Sequence, residues 1–253
     1  MTGLLFCERF LIFKKAIMSD NTLGELVSGW VPPTRPDQAE LSGRFVHLSR
    51  LSAQHHAADL YQAFHGHGNV WDYMPVGPFH SAAQFYKWVS EISANEAFVF
   101  YALRDLITGQ LGGVASYLRI APDKGSIEVG NIAFAPHFQQ TTAATEAMYM
   151  MMKWAFEAGY RRYEWKCNAL NRPSRRAAQR LGLSFEGIFR QALVVKGRNR
   201  DTAWFAAIDR DWPALKEAFE AWLAPKNFTQ EGEQKERLGN LTALVRVSSD
   251  PTL

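Results

Sequence analysis

Apolar and polar positions along this chain lay out one element after another. Arg44-Phe45-Val46-His47-Leu48 alternates and predicts a strand. Ser52 heads a helix with Ala57, Leu60, Tyr61 and Phe64 on its apolar side, closed by Gly66 and Gly68. Ser81 heads a second, with Phe85, Trp88, Val89 and Ile92 on one face. Three strands follow at 98–103, 111–120 and 127–134. The turn residues Asp105, Thr108-Gly109 and Pro122-Asp123-Lys124-Gly125 between them suit antiparallel hairpins. Thr141 or Thr142 opens the most strongly periodic helix, through Ala144, Ala147, Met148, Met151 and Trp154/Ala155 to Gly159. A strand at 163–167 leads to a helix capped by Asn171, with Pro173 in its first turn and Ala177, Ala178 and Leu181 on its buried side. Strands at 185–195 and 203–208 flank Lys196-Gly197-Arg198-Asn199-Arg200-Asp201, and Trp212-Pro213 opens a last helix.

This order predicts an α/β fold with a mixed, mostly antiparallel sheet of about seven strands. The helix between the fourth and fifth strands is a crossover, so that pair is parallel. Residues 43–223 form one domain. Residues 1–42 are an N-terminal extension, because Val31-Pro32-Pro33-Thr34-Arg35-Pro36 suits neither a helix nor a central strand. Residues 224–253 are a polar tail in which Asn227-Phe228 and Gly232-x-Gln234 suggest packing back on the domain. Residues 1–17 read as an amphipathic extension or as sequence upstream of a start at Met18. Glu8 and Arg9 interrupt their apolar run, and Lys14-Lys15 lie on the wrong side for a signal peptide. No uninterrupted run approaches the ~20 apolar residues of a bilayer span.

Composition narrows the function. The 253 residues carry 28 Lys and Arg against 25 Asp and Glu, a net charge of +3, too weakly basic for a dedicated nucleic-acid binder but compatible with phosphate ligands. The two cysteines cannot build a disulfide framework, which points to a reducing, cytoplasmic setting. His55-His56 and His65-Gly66-His67 lack the carboxylate or Cys partners of a zinc site, so they read as helix-surface histidines and no metal is expected.

Several strings, in order, resemble the GNAT acyl-CoA N-acyltransferases, and their ribosomal-protein N-terminal acetyltransferase-like (RimJ/RimL-like) branch. They are Ile127-Glu128-Val129-Gly130-Asn131-Ile132-Ala133-Phe134-Ala135-Pro136, Thr142-Ala143-Ala144-Thr145-Glu146-Ala147, Gly159-Tyr160-Arg161-Arg162 with Trp165, Asn171-Arg172-Pro173-Ser174, Arg180-Leu181-Gly182-Leu183, and Phe185-Glu186-Gly187-Ile188-Phe189-Arg190. The resemblance covers about residues 43–223 and implies a sheet splayed between its fourth and fifth strands, with acetyl-CoA as co-substrate. A helix N-terminus suits its phosphates. By resemblance Gln139, Gln140, Thr141, Thr142, Ala143 and Ala144 form that loop, although Thr142 stands where the family has its first glycine and its Cβ crowds the approach. Backbone groups of Ile132, Ala133 and Phe134 are expected along the pantetheine arm, as in strand addition. Asn171 is expected to bond the same arm or simply to cap its helix. Arg172, Arg175, Arg176 and Arg180 make a basic helix face that reads as solvated or, for one of them, Arg176, as a contact to the 3′-phosphate.

Acetyl transfer to an amine needs a neutral amine, donors for an oxyanion and a proton for the leaving thiolate. The resemblance makes Ser174 the proton donor; its plain alternative is a first-turn helix residue. Glu128 is the candidate base, with Asp72 second, although the alternation Glu128/Gly130/Ile132 leaves the face of Glu128 open. Trp71, Tyr73 and Phe79, in and beside Trp71-Asp72-Tyr73-Met74-Pro75, are expected to wall the acceptor site. Arg198 and Arg200 guide an acidic substrate or form turn contacts with Asp201. The resemblance thus implies a cytoplasmic N-acetyltransferase, monomeric or homodimeric, acting on an amine acceptor that by analogy is a protein N-terminus. A small-molecule amine, a non-catalytic acyl-CoA-binding regulatory domain and an RNA-binding module are the alternatives.

Overall fold

The computed structural model describes residues 24–230 and 232–253, so the expectations for residues 1–17 lie outside the described residues. The chain divides into two compact units, residues 1–31 and 32–253. Of the first, residues 24–31 carry a turn at Ser28-Gly29 and neither helix nor strand.

The second unit is built on β1 (Glu40–Ser42), β2 (Val46–Arg50), β3 (Val99–Asp105), β4 (Leu111–Ala121), β5 (Ser126–Phe134), β6 (Arg162–Asn168), β7 (Ser184–Val195) and β8 (Arg198–Ile208). They form one sheet in the order β1-β2-β3-β4-β5-β6-β8-β7. All neighbours are antiparallel except β5 and β6, which are parallel. The helices are α1 (Ala53–Phe64), α2 (Ala82–Ala94), α3 (Thr142–Glu157), α4 (Arg172–Arg180), α5 (Trp212–Leu223) and α6 (Leu238–Ala243). α3 is the crossover between β5 and β6. Among the described residues no helix is long and apolar enough to cross a membrane.

The sheet separates two cores. On one face Tyr117, Ile127, Val129, Tyr163 and Trp165 pack with Ala147, Met148, Met151 and Met152 of α3 and with Leu215 and Phe219 of α5. On the other, Phe100, Ala102, Val114 and Ala133 pack with Leu60, Phe64, Phe85 and Val89 of α1 and α2. Strand alternation therefore sends residue 128 to the α1/α2 side.

Three local expectations change. The sheet has eight strands, because Glu40–Ser42, in a stretch read as loop, pairs with β2; three edge residues with a single apolar one, Leu41, are too short to leave a periodic signal. The last hairpin is longer than its composition suggests. Lys196 (φ 49°) and Gly197 (φ 73°) alone make the turn, both left-handed as a two-residue hairpin turn requires. Arg198 and Arg200 are thereby strand residues. His56, read as a helix-surface histidine, is buried: its Nδ1 accepts from Ser52 N at 3.0 Å and its Nε2 lies 3.2 Å from Ser49 Oγ.

Two buried carboxylates tie distant segments to this frame. Glu146 of α3 accepts from the backbone N–H groups of Arg44 (3.0 Å), Phe45 (2.6 Å) and Val46 (3.0 Å) at the β1–β2 turn. Gly43 permits this approach, since a Cβ there would lie 2.4 Å from Glu146 Oε2. Near the C-terminus, Asp250 Oδ2 accepts from Arg175 Nε at 2.7 Å, and Ser248 Oγ donates to Phe185 O.

Candidate active site

The chain leaves β5 and turns into α3 over a tightly packed bend. Phe138 is fully buried against Gly112, where a Cβ would lie 2.2 Å from its ring. Gln139 Nε2 donates to Phe134 O at 2.8 Å, so this expected cofactor carbonyl has an internal partner. Gln140 takes a left-handed conformation, φ 62°. Thr141 is the N-cap: its Oγ1 accepts from Ala144 N at 3.1 Å and donates to Phe138 O at 2.8 Å. Helix geometry leaves the N–H groups of Thr142 and Ala143 without an intrahelical acceptor, at the positive end of the helix dipole.

Beside this terminus the sheet opens. β5 and β6 pair from Ser126↔Arg162 to Val129↔Trp165 and then part, although β5 runs on to Phe134 and β6 to Asn168. Asn131, with φ 50°, lies where the β4–β5 register also shifts. The backbone through Ile132 and Ala133 therefore has no β6 neighbour. On the β6 side, Asn171 caps α4 by accepting from Ser174 N at 3.1 Å. Ser174 Oγ accepts from Trp165 Nε1 at 3.1 Å. Burial pushes the neighbouring Cys167 thiol up, which disfavours a thiolate nucleophile there.

Glu128 is 2% exposed, so it is no solvent-facing strand carboxylate. Its Oε1 accepts from Arg119 Nη1 at 2.7 Å; its Oε2 lies 2.8 Å from Lys166 Nζ, an ion pair off hydrogen-bond alignment. Burial pushes the Glu128 carboxyl above the usual range, and Lys166 and Arg119 pull it only part of the way back. Lys166 Nζ also lies 2.7 Å from Glu164 Oε2 and 3.9 Å from the Trp204 ring centroid. Arg162 bonds Glu164 at 2.7 Å and holds Glu186 through both its terminal nitrogens. Burial opposes ionisation of Glu164, but Arg162 and Lys166 outweigh it and hold that carboxyl low. Arg119 has φ 44°, a left-handed conformation that costs a long side chain about 1–3 kcal/mol. A buried carboxylate with a raised pKa beside a sheet opening can take a proton from an incoming amine.

The loop after α1 covers this face unevenly. Trp71 is buried among Phe64, Phe79, Phe85 and Trp88, with Phe79 at 5.0 Å, so both rings pack in the second core. Asp72 and Tyr73 are exposed. Tyr73 OH donates to Leu170 O at 3.2 Å and Lys196 Nζ to Trp71 O at 2.9 Å, which ties the loop to the β6–α4 turn and to the β7–β8 hairpin. Glu128, Lys166 and Glu164 come together; Asp72 lies outside that cluster, among exposed residues.

The basic set on α4 divides. Arg175 is buried against Asp250, not solvated. Arg172 Nη2 donates to Thr252 O at 3.2 Å, and Arg180 Nη2 to Thr145 Oγ1 at 3.1 Å on α3. Arg176 is exposed.

Residues 46–184, more than half of the chain, match the acetyltransferase (GNAT) domain family. The chain belongs to the GNAT acetyltransferases. Acetyl-CoA is the acetyl donor of this family. A GCN5-related N-acetyltransferase from Brucella melitensis is 42% identical, with TM-score 0.83 over 86% of this chain and 100% of that one. A probable GNAT-family acetyltransferase from Chromobacterium violaceum is 38% identical, with TM-score 0.72 over 76% of this chain and 97% of that one. The acetyltransferase from Salmonella typhimurium that modifies the N-terminal serine of ribosomal protein L7/L12 shares the fold at 20% identity, with TM-score 0.57 over 66% of this chain and 96% of that one. No curated protein matches the chain.

Sequence reasoning missed Arg119, Lys166 and Trp204 beside Glu128. The alternation of Glu164 and Lys166 with the core residues Tyr163, Trp165 and Cys167 was the available signal, since it puts both charges on the face opposite α3.

Proposed function

We propose that this acetyltransferase acts by direct attack of a primary amine, that Glu128 is its base and Ser174 its proton donor, and that the acceptor is a protein N-terminal α-amine of the RimL-like kind. The observation that carries the reading is the buried Glu128 with its raised pKa, on the α1/α2 face of the strand whose pairing with β6 stops one residue later. The Salmonella acetyltransferase supplies the precedent for an N-terminal acceptor.

The residues present fit acetyl-CoA. The N–H groups of Thr142 and Ala143 and the Gln140 bend face its phosphates, with the Thr142 hydroxyl replacing the room a glycine would give. Ile132 and Ala133 offer backbone groups to its peptide-like arm, with Asn171 beside them. Bound acetyl-CoA supplies an activated acyl carbon and leaves as a thiol. Glu128 holds the proton that the attacking amine gives up, directly or through one water. An α-amine, with a pKa near ~7.7–8.0, needs only modest help, whereas a lysine near ~10.4 needs more. Ser174 Oγ accepts from Trp165 and its side chain also bonds Cys167; in this reading its hydroxyl proton passes to the departing sulfur. This chemistry belongs in the cytoplasm, where Cys167 stays a free thiol.

A small-molecule amine is the second reading, favoured by the Tyr73–Leu170 and Lys196–Trp71 bonds that restrain the covering loop. Thiol release from acetyl-CoA with N-terminal peptides and small amines tests both. Turnover with peptides bearing a free α-amine, abolished by N-terminal blocking, is expected. Measurable CoA binding with no turnover on any amine would overturn the reading.

A further inference from the structure

Three buried polar atoms on β8 have no hydrogen-bond partner among the described residues: Arg200 Nε, Thr202 Oγ1 and Trp204 Nε1. Their neighbours Ala203 and Phe205 face the α3 core, so positions 200, 202 and 204 share the opposite face. Lys166 pairs with Trp204, Glu164 with Ala206 and Glu128 with Glu164, so the row lies on the face that carries Glu128.

Charge balance singles out Arg200. Glu128 is matched by Arg119 and Lys166, Glu164 by Arg162 and Lys166, and Glu186 by Arg162. Asp201, expected as its partner, instead accepts from Gln191 N at 2.7 Å and Asn199 Nδ2 at 3.0 Å. Among the described residues Arg200 therefore has no paired carboxylate, although it is close enough for Arg119 to repel it and Glu128 to attract it. The residue keeps partial exposure, so a ligand can reach it.

A guanidinium and an indole N–H only donate, so a ligand that satisfies them presents acceptors. Alternate strand residues are ~6.6 Å apart, which puts Arg200 ~13 Å from Trp204, beyond the reach of one compact anion. That span equals roughly four extended residues. We infer that the acceptor is an extended, peptide-like amine carrying a carboxylate, which Arg200 binds while Thr202 and Trp204 take polar groups between it and the amine at Glu128. The inference rests on the acetyl-transfer reading and narrows its acceptor class. It excludes a bare polyamine, which offers neither acceptors nor negative charge.

The test uses the full chain saturated with CoA. Calorimetry measures binding of C-terminally amidated pentapeptides with Glu or Gln at position three or four, and of Gln peptides with a free C-terminal carboxylate. Turnover with acetyl-CoA is measured in parallel, with spermidine as a carboxylate-free control. Wild type is expected to bind one carboxylate-bearing set at least tenfold tighter than its amide counterpart, and which set does so separates a side-chain carboxylate from a chain terminus. Arg200→Gln should bring that ratio near one, and Arg200→Lys, which keeps the charge and guards against a misfolded variant, should keep part of it. A ratio near one in wild type, an unchanged ratio in Arg200→Gln, or spermidine as the best acceptor would overturn the inference. A clear ratio with no turnover on any amine would leave the carboxylate site standing and remove the transfer reading.

Discussion

Asp250→Asn tests whether the C-terminal segment is a built part of the acetyltransferase unit. Asp250 Oδ2 takes Arg175 Nε at 2.7 Å and Nη2 at 2.5 Å, with side-chain exposures of 7% for Arg175 and 0% for Asp250. Arg175 also donates to Ala169 O at 2.8 Å and Thr252 Oγ1 at 2.5 Å. Removing one partner of a buried pair costs about 3–5 kcal/mol. Asparagine keeps one acceptor oxygen and Arg175 keeps its bond to Ala169, so a cost of about 2–3 kcal/mol is expected. For a chain of this size that lowers Tm by roughly 4–12 °C. Burial pushes the Asp250 carboxyl up, but the bonds from Thr252 and Arg175 outweigh it and hold its pKa low. A carboxyl depressed in the fold stabilises above its unfolded pKa, and that contribution is lost as pH falls through the folded value. The gap between wild type and variant should therefore close below about pH 4. Calorimetry across pH, with the double variant Arg175→Met/Asp250→Leu, reads both effects; the apolar pair should recover much of the loss. A loss under about 0.5 kcal/mol, the size of an ordinary surface change, would refute the reasoning.

Two further outcomes follow from single contacts. Ser174→Ala should lower kcat about 10²-fold with CoA affinity near wild type, because Asn171 still caps α4 through the backbone of residue 174; unchanged steady-state kinetics would remove the donor role. Glu146→Gln replaces one acceptor with a donor facing backbone N–H groups and should cost about 1.5–3 kcal/mol in denaturant unfolding; a neutral result would show that the β1–β2 turn does not depend on that carboxylate.

Much of the fold was legible because its signals are local. The crossover helix, its Thr141 cap and the Asn171 cap all follow from residues within a few positions of each other. What sequence left open depends on distant pairing. The face of Glu128 could not be read from Glu128/Gly130/Ile132, because Asn131 is left-handed and breaks the alternation within that triplet. Arg175 looked solvated because its partner lies 75 residues away. Arg200 looked like a turn residue because charged and amide side chains flank a turn that needs only Lys196 and Gly197. Trp71 and Phe79 read as walls of an acceptor pocket, and only the ring contacts with Phe85 and Trp88 place them in the core.

The pH dependence of kcat/KM for wild type and Glu128→Gln, with the best amine found, tests the central claim most directly. Glu128 must be ionised to take a proton, so wild-type activity should rise through a pKa above the ordinary carboxylate value, on the acid side of the amine's own titration. Glu128→Gln should lose that step and about 10²–10⁴-fold in rate, while keeping the limb that belongs to the amine. A variant with the wild-type profile and rate would contradict the assignment of Glu128 as the base.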